Sequence, residues 1–431
     1  MMTRVGSLLA VLLFAPVVAG QPSGTAVAKA TSAAATFAAR PAEDKPFVVL
    51  PAGAELKTGE LLVALPGAAL VSTDGGVAVK SFADYDRRSP LPILETALIL
   101  TPPEKGEDFA FVLDRGRVDV TNQKAAGAVV VAVRFADQKW TIKLEEPGTR
   151  VALEFCGRWP AGARFEPADA ADPKGKPAAP IAAFVMLVLR GAAQVTSGDT
   201  TLGLTAPPGP ARLDWDSVAG AVARPQKLAA LPEWADPAAV PGGEAKKLAE
   251  AVERFRAARA ENPAVARKRF LDSADPIELR VALVTLGAED DLSPLGDALV
   301  AAKTLEEWDF GITVLRHWLG RGVGQDQKLY RWLTAVRGYS PAQAGIVMKL
   351  LFGFSAAEVR SPETYQVLID YLGHEKPGVR NLAAWHLIRL VPQGRDIPYR
   401  PNGSAADAIG AQDAWKKLVP AGELPPPPPK K

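Results

Sequence analysis

The apolar residues of this chain change their period once, near Ser217, and that switch constrains the fold more than any other feature. Between Lys45 and Ser217 the sequence runs in short β-prone segments broken by Gly, Pro and Asp, among them "ELLVAL", "TALILT", "FAFVLD", "AVVVAVRF" and "RVALEF". "GRVDVT" and "KWTIKL" alternate apolar with polar residues, the two-residue period of a strand with one buried face. Many short strands separated by turn residues predict an all-β domain of sandwich or barrel type. From Glu244 the spacing becomes three to four, so that Leu248, Val252, Phe255 and Ala258 share one helix face. The 431 residues have length for two or three domains, and 48% hydrophobic residues supply more than one core. The chain is therefore read as multidomain, all-β and then all-α.

The helical part carries its own punctuation. Asp275-Pro276-Ile277-Glu278 places a capping Asp before a Pro at the first helical position, and Asn262-Pro263, Ser340-Pro341 and Ser361-Pro362 repeat the device. Ser355-Ala356-Ala357-Glu358 reads as a capping box. Segments beginning at Leu279 ("LRVALVTLG"), Trp308 ("WDFGITVLRHWLG") and Val379 ("VRNLAAWHLIRL") form a loose repeat. Stacked helix pairs of this kind make an α-solenoid, in which each unit buries its face against its neighbours; an irregular bundle is the alternative. "SADPIELRVALVTLG" and "HEKPGVRNLAAWHLIRL" resemble degenerate HEAT repeats.

In the β half one phrase occurs twice, R-G-x-x-x-V-T from Arg115 and again from Arg190. Each Arg-Gly reads as a tight turn that sets the register of the strand leaving it, which weights the glycines and valines above the arginines. Around the two copies stand "LKTGELL" (from Leu56), "DGGVAV" (from Asp74), "LDRGRVDV" (from Leu113), "PGTRVAL" (from Pro147), "LRGAAQV" (from Leu189) and "LTAPPGPARL" (from Leu204). This ordered set resembles the FecR-type periplasmic domain. The resemblance implies a β-rich sensor or scaffold fold, a jelly-roll or β-sandwich or a β-solenoid-like form, that works by protein contact without catalysis. Regulators of that family usually carry an anti-sigma segment and a membrane helix ahead of the domain. This chain has an apparent signal peptide there instead, inserts a loop at Pro167–Pro180 and adds a helical half.

At the N-terminus, "MMTR" is followed by the apolar "VGSLLAVLLFAPVVAG", with Val18-Ala19-Gly20 as small residues for cleavage before Gln21. Val5 to Gly20 is short for a membrane anchor, and Pro16 interrupts it. The expectation is an exported protein, periplasmic or extracellular, with no membrane span after signal cleavage. The predicted segments are a signal peptide at 1–20, a flexible leader at 21–44, the FecR-like β domain at 45–217 and a Pro-rich linker at 218–243. A helical HEAT-like domain at 244–420 and a Pro-rich disordered tail at 421–431 complete the chain.

No motif carries an evident reaction. Fifty Lys and Arg against 48 Asp and Glu give a formal charge of +2, so no nucleic-acid partner is expected. The single cysteine, Cys156, reads as a buried strand residue, and export then implies a fold without internal disulfides. His317, His374 and His386 lack the spacing of a zinc site and read as packing or surface residues. Gly320, Gly322 and Gly324 suggest a helix C-cap and turn rather than an anion nest. The acids of Ala288–Pro294 suggest a solvated turn rather than a calcium loop. Trp308, Trp318, Trp332, Trp385 and Trp415 fall at helical spacing, as core residues or as anchors on a concave face. No catalytic, cofactor-binding or metal-binding residue is assigned, and no cofactor. The function expected is non-catalytic binding of a protein partner, as a scaffold or sensor of the bacterial cell envelope. Two alternatives stand beside it: a carbohydrate-active hydrolase whose carboxylates are gathered by folding, and a regulator tethered by an uncleaved signal.

Overall fold

A computed structural model of the chain describes residues 24–84, 93–168, 178–236, 239, 242–302 and 304–427. The expected signal peptide lies outside these residues, as do 169–177 of the Pro167–Pro180 loop and 428–431 of the tail. No described helix is long and apolar enough to cross a membrane.

The β half comprises β1 (Ala26–Ala30), β2 (Phe37–Arg40), β3 (Val48–Val49), β4 (Glu55–Lys57), β5 (Leu61–Ala64), β6 (Ala69–Ser72) and β7 (Val77–Phe82). There follow β8 (Thr96–Leu100), β9 (Phe109–Asn122), β10 (Val129–Phe135), β11 (Gln138–Leu144) and β12 (Arg150–Arg158). The last are β13 (Ile181–Arg190), β14 (Ala192–Ser197), β15 (Thr200–Thr205), β16 (Gly209–Asp216) and β17 (Gln226–Leu228). They form two sheets, ordered β4-β1-β6-β7-β9-β12-β13-β16-β17 and β3-β2-β5-β8-β9-β10-β11-β14-β15. Leu70, Val120, Leu153 and Met186 of the first meet Leu98, Phe111, Trp140 and Val195 of the second in one buried core. Strict alternation survives on the outer strands: β16 buries every second residue, as its "GPARLDWD" pattern requires.

Strand β9 belongs to both sheets. Its first half, to Arg115, pairs with β8 and β10, and its second half, from Gly116, pairs with β7 and β12. The crossing occurs at Gly116, where φ is +96° and a Cβ would overlap the carbonyl of Glu95. Only glycine fits there. The first Arg-Gly is thus a mid-strand crossing and not the turn expected of it. The second is such a corner: Gly191, at φ +76°, links β13 in one sheet to β14 in the other.

Two predicted boundaries are corrected. Of the leader predicted at 21–44, the described residues from 24 onward are not a flexible tether, because they supply β1 and β2, with Ala28, Ala30, Phe37 and Ala38 buried. Alanine fills a thin part of the core without raising a hydrophobic period, so composition alone read it as unstructured. The 218–243 connector is also partly folded. It contributes β17 and lays Ala235 over Ala152, Val185 and Leu187 on the outer face of the first sheet.

The helices are α1 (Gly243–Glu261), α2 (Pro263–Leu271), α3 (Pro276–Ala288), α4 (Leu292–Ala301), α5 (Leu305–Gly320) and α6 (Gln325–Arg331). α6 continues as a π-helical turn over Trp332–Val336. Beyond it lie α7 (Pro341–Phe352), α8 (Ala356–Val359), α9 (Pro362–Tyr371), α10 (Pro377–Leu390) and α11 (Ala405–Leu418). Asn262 and Asp275 cap α2 and α3 through their carboxamide and carboxylate oxygens, and Ser340 and Ser355 form capping boxes with Gln343 and Glu358. Pro362 opens α9, but Ser361 donates to Glu363 and does not cap. The three loosely repeated segments are α3, α5 and α10, and α5 packs against both of the others.

The halves meet without a gap. Trp159, just beyond β12, stacks on Phe352 at 4.5 Å and donates to Leu319 O at 3.0 Å. Burial of such a ring contributes about 2–3 kcal/mol. Gly157 and Gly320 bring the backbones of β12 and α5 so close that a Cβ on either would overlap the other. Leu65 and Leu94 of the β half share a core with Val252, Phe255 and Leu286 of the helices.

Candidate functional site

Two buried places stand out, one built of charge and one of apolar surface. The first lies where β8, β9, α3 and α5 converge. Arg115 Nε donates to Glu95 Oε1 at 2.7 Å, and Arg115 Nη2 donates to Ala288 O at 2.9 Å. Arg321, at the end of α5, pairs with the same Glu95 oxygen and donates to Asp290 at 2.9 Å. Asp290 also accepts from Trp318 at 3.0 Å and from Arg40 at 2.7 Å. His317 Nε2 stands 3.6 Å from Glu95. Glu95, Arg115 and His317 are all buried.

Burial by itself raises the Glu95 carboxyl, but Arg115 and Arg321 outweigh it and hold the group below its ordinary range. Burial, reinforced by both arginines, pushes His317 down to about 4, so its ring is neutral. Arg321 is lowered by burial to about 10 and remains a cation near neutrality. The cluster is a network of buried ion pairs across the junction between the halves, in which Glu95 Oε2, Arg321 Nε and both His317 ring nitrogens have no hydrogen-bond partner. Its role is to set how the halves seat on each other.

The second place is a cavity of about 70 Å³ within the helical half, between α4, α5, α6 and its π-turn, α7 and α10. Leu299, Trp308, Ile312, Trp332, Leu333 and Leu382 form its walls. Gly296 leaves room for the Trp332 ring, since a Cβ there would lie 2.6 Å from it. The π-turn, closed by Arg337 N donating to Trp332 O at 3.1 Å, turns Trp332 and Leu333 onto the cavity; such turns recur at functional sites. Arg337 and Tyr339 also reach its lining. Asn381 of α10 is 6% exposed, and its Nδ2 donates to Leu299 O at 3.0 Å. Its Oδ1 has no hydrogen-bond partner. Among the described residues, no Asp, Glu, His, Cys, Ser, Thr or Lys lines the cavity.

The other residues singled out in the sequence are dispersed. Cys156 is buried in β12, and burial pushes its thiol up to about 12. His386 is buried, with Nε2 2.6 Å from Leu350 O, and burial pushes it down to about 4. His374 accepts from Lys376 N at 3.0 Å. Among the described residues no His, Cys, Asp and Glu gather as a metal site. Gly320 makes the backbone contact with β12, and Gly324, at φ +92°, precedes α6. The acids at 289–291 do not form a solvated turn. Glu289 pairs with Arg259 and Arg267, Asp290 joins the junction, and Asp291 pairs with Arg267. Their arginine partners are distant in sequence, which is why the local stretch looked merely acidic. Trp318 and Trp415 are core residues, whereas Trp308 and Trp332 line the cavity.

An open trough elsewhere on the helices holds two acids and Trp385. Asp309 accepts from Trp385 Nε1 at 2.9 Å and from Arg389 at 2.8 Å, and Glu306 pairs with Arg280. Both carboxylates are engaged by cations.

No family model, curated protein or solved structure matches this chain.

Proposed function

We propose that this protein is an exported, non-catalytic binding or scaffold protein of the bacterial cell envelope. In this reading a FecR-like β half is the rigid platform, and a HEAT-like helical half presents the binding surface to a protein partner. The observation that carries the reading is the chemistry of the helical cavity. Its walls are mainly apolar, with Arg337, Tyr339 and Asn381 as the polar residues among them, the composition of a binding recess more than of a reaction centre. Val336, at the end of the π-turn whose Trp332 and Leu333 line the cavity, is 63% exposed.

The test is a photocrosslinking amino acid placed at Val336 in the full chain expressed in a bacterial host, with the same group at Ile409 as control. Ile409 is 59% exposed, on α11. The expected result is a discrete protein adduct from position 336, recovered in the exported fraction, with none from 409. Absence of an adduct at 336, or recovery of the protein with cytoplasmic markers, would overturn the reading. N-terminal sequencing that begins at Gln21 would separate it from a regulator held by an uncleaved signal.

A further inference from the structure

We infer that strand β15 is the surface through which two copies of this chain pair, edge to edge and antiparallel about Gly203. The inference goes beyond the binding function proposed above and does not depend on it.

A free sheet edge offers unpaired N–H and C=O groups to any other strand, so edges are ordinarily kept short, charged or broken by proline. Among the described residues the two sheets end in four edges, and three of them obey that rule. β3 is two residues long between Pro46 and Pro51, β4 is Glu-Leu-Lys, and β17 is Gln-Lys-Leu behind Pro225. β15 differs. It runs for six residues, "TTLGLT", without a charge or a proline, and among the described residues its one ladder is with β14. Thr201, Gly203 and Thr205 are exposed.

The phase of that ladder decides which groups are free. Ala206 N donates to Gly191 O at 2.9 Å, while Ala192, opposite Thr205, gives its carbonyl to Glu145 N on its other side. Bonded and non-bonded pairs alternate along an antiparallel ladder. Thr200, Leu202 and Leu204 therefore point their backbone groups at β14, and Thr201, Gly203 and Thr205 point theirs outward. Gly209 begins β16 beside Thr205; a Cβ there would lie 3.2 Å from Thr205 O, and glycine adds no side chain over that carbonyl.

The sequence then selects the occupant. Thr201-Leu202-Gly203-Leu204-Thr205 reads the same in both directions, so an antiparallel copy centred on Gly203 matches it residue for residue. Gly203 faces its own counterpart and Thr201 faces Thr205 of the second copy, and these are the residues whose N–H and C=O groups point outward. On the core side, Leu202 is only partly buried, and it meets the buried Leu204 of the second copy. Such a self-complementary contact closes after two copies.

Sedimentation velocity of the full chain, from low micromolar to near-millimolar concentration, is the test. The expected result is a mass that rises from one chain to two. Gly203→Pro removes an outward N–H and leaves the β14 ladder intact. It should weaken the dimer by about tenfold or more, because two symmetric backbone bonds are lost, with thermal unfolding of the dilute chain unchanged. A chain carrying Thr201→Lys and Thr205→Lys sets like charges opposite each other and should be monomeric. Mixed with a chain carrying Thr201→Glu and Thr205→Glu, it should recover a dimer of the two. This charged pair keeps the test sound should the proline variant fail to fold. A chain that stays monomeric throughout, a dimer indifferent to Gly203→Pro, or Lys and Glu chains that do not combine would each overturn the inference.

Discussion

The junction and the cavity are both buried, but they differ in what they ask of their polar atoms. At the junction Glu95, Arg115, Arg321 and Asp290 form ion pairs between elements, although Glu95 Oε2, Arg321 Nε and both His317 nitrogens have no hydrogen-bond partner. In the cavity Asn381 Oδ1 has none, and apolar walls leave space beside it. Buried charges must be paired at the moment of folding, so the first arrangement reports on structure. An unpaired buried acceptor costs about 1–3 kcal/mol wherever it lies, and what sets the second place apart is the mainly apolar space beside it.

The largest effect should come from breaking the junction. Glu95→Ala leaves Arg115 and Arg321 buried without their shared carboxylate, and is expected to lower stability by about 3–5 kcal/mol in urea unfolding. A loss below 1 kcal/mol would mean the ion pairs are not what seats the halves.

Next in size are two pH effects of opposite sign. His317 is lowered to about 4 from 6.5, so the unfolded chain binds a proton that the folded chain refuses. Stability therefore falls as pH drops from 6.5 to 4, by up to about 3 kcal/mol, and His317→Leu should flatten that limb. Glu154, buried in β12 with both oxygens unpaired, is raised by burial to about 7. Its contribution is full below pH 4.5 and is lost as pH rises through 7. Glu154→Gln should make the profile from pH 5 to 8 flatter, a change of up to about 3 kcal/mol at the alkaline end. Thermal or urea unfolding across pH checks both, and unchanged slopes would contradict them.

Asn381→Leu tests the other side of the comparison. It removes the orphan oxygen and also the bond to Leu299 O, so the net change in stability should stay within about 1 kcal/mol. A loss as large as that of Glu95→Ala would make Asn381 a structural residue like those of the junction. The smallest effect is expected at the second copy of the Arg-Gly phrase. Arg190 is exposed at a corner, and Arg190→Ala should change stability by less than about 0.5 kcal/mol. Arg115→Ala, in the same local phrase, should cost several-fold more.

Much of the fold was readable from local pattern. The switch of period near Ser217 anticipated β and then α, and the caps at Asn262, Asp275, Ser340 and Ser355 marked helix starts, because capping is a short-range hydrogen bond. The alanine-rich β1 and β2 were not readable, since small side chains bury without leaving a periodic trace. Neither site was visible. "AEDDLSP" looked like a solvated turn because Arg40, Arg115, Arg259 and Arg321 come from elsewhere in the chain. Asn381 sits in "VRNLAAWHLIRL" as an ordinary polar residue, and the Trp308, Trp332 and Gly296 that surround its cavity belong to other helices.

By itself, then, the sequence determined the kinds of element and where helices begin, because propensity, period and capping act over a few residues. Tertiary structure alone decided that Arg115 and Arg190, which open the same R-G-x-x-x-V-T phrase, do different work. It also decided that Gly116 carries one strand between two sheets, and that a lone asparagine faces an apolar cavity. Those outcomes depend on burial and on partners far apart in the chain, and no local spacing encodes either.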